Sequence, residues 1–330
     1  MSDCIIIGGG VIGMMSARTL AMSGASVTLI DQRACGKESS WAGGGIISPL
    51  YPWMYSDVVN ELSRASQGVY EELCATLFAD TGIDTEYVRS GLLMMDEYDR
   101  YEAIDWMDVH QVSAEKHPKG ALFSRVAQVR NPRLLKALKA DILRRGVEIV
   151  EWTKVDELMI ENDKVLGVQT ENKKYYGDNT LICGGAWSSA LLDEQNEVYP
   201  VKGQMIVVQS KPDTLKHIVL DKGRYLIPRK DGRILIGSTT ENVGFDRSLS
   251  EQVGAELLKF ATDRFPALQG ASIEHHWSGF RPASKSGVVI KKYEKLDSLY
   301  INTGHLRNGL NMAPESANRI TALIKGCPKC

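Results

Sequence analysis

CIIIGGGVIGMMSARTLAMSGASVTLID, residues 4–31, decides how this chain folds. Residues 4–7 are a short β-branched apolar run that ends at Gly8, the pattern of a strand buried on both faces. Residues 11–24 then carry apolar side chains at helical spacing and stop at Gly24. Residues 26–30 make a second strand, closed by Asp31. Strand, glycine-rich turn, helix and strand compose a βαβ unit. Its turn sets Gly8, Gly10 and Gly13 in a G-x-G-x-x-G pattern. One glycine makes the tight turn, one lets the backbone approach a pyrophosphate, and the third lets helix and strand pack closely. The helix N-terminus offers N–H groups and its positive end to the phosphate. Asp31 would accept from ribose hydroxyls, where a 2′-phosphate would be repelled. The unit predicts a dinucleotide site.

Working outward, residues 57–80 read as a helix and residues 90–95 as a strand. Residues 131–146 form an amphipathic helix, with Asn131 as N-cap, Pro132 in the first turn and Gly146 as the stop. From residue 147 the period becomes two: VEIVEW, then KVLGVQTENKKYYG as a strand and hairpin, then TLICG as a separate buried strand at 180–184. Residues 200–280 read as short strands, among them QMIVVQ, RYLIPR, RILIGST and EHHWSGF. Residues 298–325 give a strand, a loop and a last helix beginning near Pro314. The fold class is therefore α/β: a doubly wound, Rossmann-like dinucleotide domain plus a second α+β domain carrying an antiparallel sheet. The expected division is 1–80, 129–197 and 285–330 against 81–128 and 198–284. No internal repeat or low-complexity segment interrupts it.

The 330 residues, 43% hydrophobic and 24% charged with a net charge of −2, fit a globular enzyme and give no basic field for nucleic acid. No apolar run reaches the roughly 20 residues that span a bilayer. The N-terminus lacks a basic region and cleavage site, so a cytoplasmic location is expected. The six cysteines are scattered and read as reduced thiols. Cys327 and Cys330 make a lone C-P-K-C pair with no second pair to complete a zinc site, and adjacent His275 and His276 point different ways, so no metal is expected. A homo-oligomer is compatible with this composition.

SSWAGGGIISPLYPW, residues 39–53, has three consecutive glycines and no charge. Glycine runs mark close backbone approach. The βαβ unit alone leaves NAD and FAD open. An extended FAD carries its ring to a second layer of loops, and this stretch could supply it, with backbone at Gly44 and Gly45 facing the ring and apolar neighbours excluding water.

These features, together with VRNPRLLKALKA, LICGGAWSS, PVKGQM, GRYLIPRKDGRILIGST, WSGFRP and GHLRNG, resemble the glycine oxidases of the D-amino-acid oxidase superfamily of flavoproteins, in order over nearly the whole chain. The resemblance implies FAD, contacted at Gly8, Gly10, Val11, Ile12 and Gly13, at Asp31 and Gln32, and along Ser39, Ser40, Gly44, Gly45 and Ile46. It implies Val155 on the adenine side and a loop of His305, Leu306, Arg307, Asn308, Gly309, Leu310 and Asn311 around the ring. It puts the substrate carboxylate on Arg281, with Tyr225 and Arg307 nearby. The implied reaction is oxidation of glycine or another small amine to an imine, with hydride passing to the flavin and oxygen becoming hydrogen peroxide, in service of thiamine synthesis. The partners are a small amine and oxygen. Two departures stand out: ASKSGVVIKK follows WSGFRP in place of a glycine-rich turn with P-Y-I-G, and the chain stops at CPKC without the usual extension. An amine dehydrogenase with another electron acceptor, and a flavoprotein acting on a partner protein's side chain, remain as alternatives.

Overall fold

The computed structural model describes residues 1–96, 100–192 and 197–326. Cys327 and Cys330 lie outside them. Two eight-stranded sheets carry the architecture. In the first, Ser2–Ile7 lies between Val27–Ile30 and Lys174–Ile182, with Glu148–Val150 beyond the former and Leu299–Thr303 beyond the latter, all parallel. Val289–Lys292 closes one edge antiparallel to Leu299–Thr303.

The continuous apolar character of residues 4–7 has a direct cause. Cys4 and Ile6 face a core shared with Met14, Leu20, Leu134, Leu138 and Ile320 of the helices Val11–Met22, Asn131–Arg144 and Gly309–Ile324. Ile5 and Ile7 face Val155, Val165 and Val168 of an antiparallel ribbon, Val155–Glu161 and Lys164–Thr170. Neither face sees water, so neither needs a polar residue. The hairpin strand and the buried strand at 180–184 are one element. Lys174–Ile182 pairs antiparallel with Lys164–Thr170 through Lys174, Tyr175 and Tyr176, and parallel with Ser2–Ile7 from Gly177 to Ile182.

The second sheet runs Ile273–Ser284, Val198–Gln209, Arg233–Gly237, Arg224–Pro228, Ile218–Asp221, Leu92–Met94, Gly120–Phe123 and Glu115–His117. Every pair is antiparallel except Ile218–Asp221 with Leu92–Met94. One face packs Ile206, Leu226 and Ile236 against Leu257 and Phe260 of the helix Glu251–Arg264. The opposite face, with Met205, Tyr225 and Ile227, packs with Leu50 and Ile46.

Four further details differ from the sequence reading. The helix Glu251–Arg264 interrupts the expected run of strands. Its signals are ordinary: Ser250 caps it by accepting from the Val253 amide at 3.4 Å, and Gly254, Leu257, Phe260 and Ala261 share its buried stripe. Arg100–Val109 is also helical. Ala103 is its one buried residue among the described side chains, so it lacks the stripe that marks a helix in sequence. Asn131 is the first helical residue rather than the cap, and its amide donates to the Ser40 carbonyl at 2.7 Å.

The last helix begins at Gly309, with Pro314 inside it. A proline there removes the bond to the carbonyl four residues back, that of Leu310. The Tyr70 hydroxyl donates to the Leu310 carbonyl, and the Glu315 amide finds Ser66 Oγ at 3.1 Å, both from the neighbouring helix Asp57–Thr81. Tertiary partners thus satisfy groups that the proline freed, and the helix starts more than a turn earlier than the residue pattern indicates.

No helix among the described residues is long and apolar enough to cross a membrane. Nor does any group of three His, Cys, Asp or Glu side chains gather as a metal site among them.

Candidate active site

A cavity of about 340 Å³ runs between the two sheets. It is lined by Asp31, Gln32, Lys154 and Val155, by Gly8, Gly10, Val11, Ile12, Ser39 and Ser40, and by Tyr225, Arg281 and Arg307. Gly44, Gly45, Ile46, His305, Leu306, Asn308, Gly309 and Leu310 also line it.

The fingerprint turn is built by exclusion. Gly8 sits at φ +108, and a Cβ there would run into the Cys183 carbonyl. A Cβ on Gly13 would strike the Gly8 carbonyl, so Gly13 belongs to the helix–strand contact and does not line the cavity. Asn311 is likewise behind the wall, 2% exposed, with its amide donating to Asn308 Oδ1 at 3.3 Å. Ser40 Oγ accepts from the Val11 amide at 2.9 Å, tying the short helix Glu38–Ala42 to the fingerprint helix. Asp31 already accepts from the Gly9 amide at 2.6 Å and the Arg33 amide at 2.7 Å, so its carboxylate also fixes the turn. Burial raises its pKa, against the lowering effect of those two bonds.

The glycine run 43–45 has a further physical reason beyond the cavity it lines. Gly45 adopts φ +79, and a Cβ there would meet the Val129 carbonyl and stand 2.5 Å from Asn131 Oδ1. A Cβ on Gly44 would collide with Ile227 and lie 3.4 Å from the Tyr225 ring. The missing side chains therefore face the protein. The strip is pressed onto the second sheet on one side and offers its backbone to the cavity on the other.

Arg281 stands on the long strand Ile273–Ser284, opposite Val201. Its Nη2 donates to Ser238 Oγ at 2.7 Å and its Nη1 to the Thr239 carbonyl at 3.1 Å, with the Lys202 carbonyl at 3.4 Å. The Tyr225 hydroxyl lies against the guanidinium, and Arg307 is a second positive neighbour. Burial and Arg307 lower its pKa, and among the described residues no carboxylate pairs with it. Space for it comes from Gly203 on the adjacent strand, where a Cβ would stand 2.5 Å from Nη1 and 2.6 Å from Cζ. Arg307 is half-buried and donates to Thr240 Oγ1 at 3.2 Å. His305 is buried, its Nε2 3.1 Å from Ser316 Oγ, and burial lowers its pKa to about 3, so it is neutral at neutral pH.

Several residues escaped the sequence reading. Gly203 and Ser238 position Arg281. Cys183 and Gly184 line the cavity at the end of the strand Lys174–Ile182. Trp187 lines it too and stacks on Phe245 at 4.8 Å. Glu38 lines it and pairs with Arg33 at 3.0 Å and Arg247 at 2.9 Å. A strand ending in two glycines was a usable signal for Cys183 and Gly184. For Gly203 no local signal exists. Residues 283–292, where the chain departs from the family pattern, do not line the cavity. They finish the arginine strand, turn with Ser284 and Ser286 bound to Glu197, and form the sheet edge.

An extended dinucleotide fits this donor set. A helix N-terminus at Gly10 and Val11 suits the pyrophosphate, a carboxylate at Asp31 suits a ribose, and apolar walls with bare glycine backbone suit a flat ring. The helix Gly309–Ile324 also opens its positive end onto the cavity through Asn308 and Gly309.

The comparisons agree with this geometry. The sequence profile described as FAD dependent oxidoreductase, DAO, matches residues 3–323. A glycine oxidase of Pseudomonas aeruginosa is 41% identical over 98% of this chain and 94% of that enzyme. The bifunctional protein ThiO/ThiG of Nostoc sp. is 32% identical over 98% of this chain and 52% of its own length. The crystal structure of a glycine oxidase from Bacillus cereus superposes with a TM-score of 0.92 at 30% identity, covering 100% of this chain and 98% of that one. A mixed α/β chain with this fold, matched from residue 3 to residue 323, belongs to the DAO family of FAD-dependent oxidoreductases.

Proposed function

We propose that this chain oxidises glycine, or a comparably small amino acid, to its imine with oxygen as electron acceptor. The carrying observation is Arg281: a mostly enclosed guanidinium, with no carboxylate partner among the described residues, lining the same cavity as the fingerprint turn. A buried cation without a counter-ion is costly and suits a site whose anion arrives with the substrate. FAD held along Gly10, Val11, Asp31 and Gly44 would supply the two-electron acceptor for the hydride of the substrate α-carbon and the route by which those electrons reduce oxygen to hydrogen peroxide.

The residues supply binding and orientation. Arg281 offers a planar fork to the carboxylate, held in place by Ser238 and Thr239. The Tyr225 hydroxyl adds a donor beside it. The positive charge of Arg307 disfavours a substrate ammonium and so favours the neutral amine from which hydride can leave. Apolar walls at Met205, Leu50 and Ile46 exclude water. Water then hydrolyses the imine to the 2-oxo acid and ammonia. The likeness to ThiO/ThiG proteins supports a role in supplying the imine for thiamine biosynthesis. The two sheets support a division into a cofactor domain of residues 1–80, 129–197 and 285–330 and a substrate domain of residues 81–128 and 198–284. Free thiols at Cys4, Cys35, Cys74 and Cys183 support a cytoplasmic location.

The test is an anaerobic absorbance titration of the flavin-loaded protein with glycine, sarcosine and D-amino acids, followed by admission of air. Bleaching by a small amino acid and stoichiometric peroxide on reoxidation are expected. No bleaching by any free amine, or bleaching without peroxide, overturns the proposal.

A further inference from the structure

The strand Arg224–Pro228 and the residue after it present Tyr225, Ile227 and Arg229 on one face by the two-residue period. Tyr225 and Ile227 are the side chains against which Gly44 is pressed. Arg229 continues the row. It is 8% exposed and does not line the cavity. Its Nη2 donates to the Gly44 carbonyl at 2.8 Å, and its Nη1 to the Val129 carbonyl at 2.9 Å and Gln128 Oε1 at 2.7 Å. The Val129 amide in turn donates to the Gly45 carbonyl at 2.9 Å, and Gln128 pairs with Ile46 in a two-stranded sheet of Ile46–Ile47 and Ala127–Gln128.

No carboxylate among the described residues lies in ion-pair contact with Arg229. Glu86 and Asp231 are held by Arg130 instead. Burial and Arg130 lower its pKa to about 10, so it stays charged at neutral pH, and its Nε finds no hydrogen-bond partner. A methionine or leucine would fill this space without a charge to desolvate. What those side chains cannot do is hold two main-chain carbonyls and an amide oxygen from three directions in one rigid fork.

We propose that Arg229 is a positioning residue for the cofactor: it fixes residues 43–46 as a wall of the cavity by tying Gly44 and Val129 to the strand that carries Tyr225. Cofactor affinity then depends on a side chain that never reaches the cavity, and the substrate sheet and the cofactor wall move as one. The inference rests on the reading of the cavity as the FAD site.

The experiment compares Arg229→Lys and Arg229→Met with the parent, with Asp31→Ala as a control on the cavity itself. Each full-length protein is loaded with FAD. The dissociation constant is measured by flavin fluorescence, the visible flavin spectrum is recorded, and thermal unfolding is followed with and without FAD. Lysine keeps the charge but has no fork. Both Arg229 variants should bind FAD about tenfold to a hundredfold more weakly, the range for one lost charged hydrogen bond. Their flavin bands should shift, and FAD should raise their unfolding temperature less than it raises the parent's. An unchanged dissociation constant, with equal loss of stability in the free and loaded chains, means a merely structural arginine and overturns the proposal. If Asp31→Ala also leaves FAD affinity unchanged, the cavity reading has failed; if it weakens affinity while Arg229→Lys does not, only the Arg229 proposal has failed. Should only the lysine variant fold, it decides. Should neither fold, hydrogen exchange on the parent decides: FAD should slow exchange at the Val129 amide, and unchanged exchange there overturns the proposal.

Discussion

Gly203→Ala tests the site through the space that this cavity-lining glycine leaves for the Arg281 guanidinium. Gly203 pairs with Gly279 of the edge strand Ile273–Ser284, and its φ is one that alanine accepts, so the backbone has no reason to change. The added methyl would stand 2.5 Å from Arg281 Nη1 and 2.6 Å from Cζ, whereas ordinary contact begins at 3.4 Å. The guanidinium must therefore retreat by about 1 Å. It is the far end of a flexible side chain, so it can move at little cost to folding, but it then leaves Ser238 Oγ and the Thr239 carbonyl. A displacement of that size at an orienting group costs on the order of 100-fold in turnover per substrate concentration. That is about 2.7 kcal/mol at ~1.4 kcal/mol per decade. Arg281→Met sets the limit: loss of a desolvated charge pair costs roughly 2–5 kcal/mol, or about 30-fold to several thousandfold. The assay is kcat/KM for glycine by peroxide release, with FAD content and unfolding temperature measured alongside. Gly203→Ala should keep normal FAD and near-parental stability while losing glycine turnover, and an amine without a carboxylate should be affected far less. If Gly203→Ala oxidises glycine as the parent does, Arg281 is not the carboxylate fork, or its position does not matter.

Gly45→Ala should destabilise the flavin-free chain by roughly 2–4 kcal/mol, since it combines a positive φ with a collision against the Val129 carbonyl; denaturant unfolding of flavin-free protein checks this, and a parental midpoint would show that Gly45 serves only the ring. His305 gives a pH signature. Its folded pKa of about 3 lies below the ordinary value near 6.5, so the unfolded chain takes up the proton first and stability is lost as pH falls through that interval. Between pH 7 and pH 5 the parent should lose about 2 kcal/mol more than His305→Asn does; equal losses by urea unfolding at the two pH values would refute the burial argument.

The residue pattern carried the local part of this protein. A strand, three glycines at fixed offsets, a helix and an acidic strand end lie within residues 4–31, so the contacts of Gly8 with Ile30, of Gly9 with Asp31 and of Gly13 with Gly8 are local, whereas Gly36, Ser40 and Cys183 reach the turn from outside that stretch. The two-residue period of RYLIPR likewise announced which side chains share a face. The helix Glu251–Arg264 has a local cap and stripe, although the residue reading takes that segment as strands, and the start of the last helix has no such local signal. Pro314 ends a helix by local rules, and only Tyr70 and Ser66, about 240 residues away in the chain, let the helix pass through it.

Only the tertiary structure decided the rest of the site. That Gly203 exists for the sake of Arg281, that Gly45 yields to Val129, and that Arg229 reaches back 185 residues to the Gly44 carbonyl are statements about distance in space. Periodicity encodes which face a residue takes relative to its neighbours, because backbone geometry repeats over two or 3.6 residues. It does not encode which distant face comes to lie against it. That depends on packing the two sheets at close-packed density, where one methyl or one hydrogen-bond donor is felt and where glycine can be required by a neighbour on another strand.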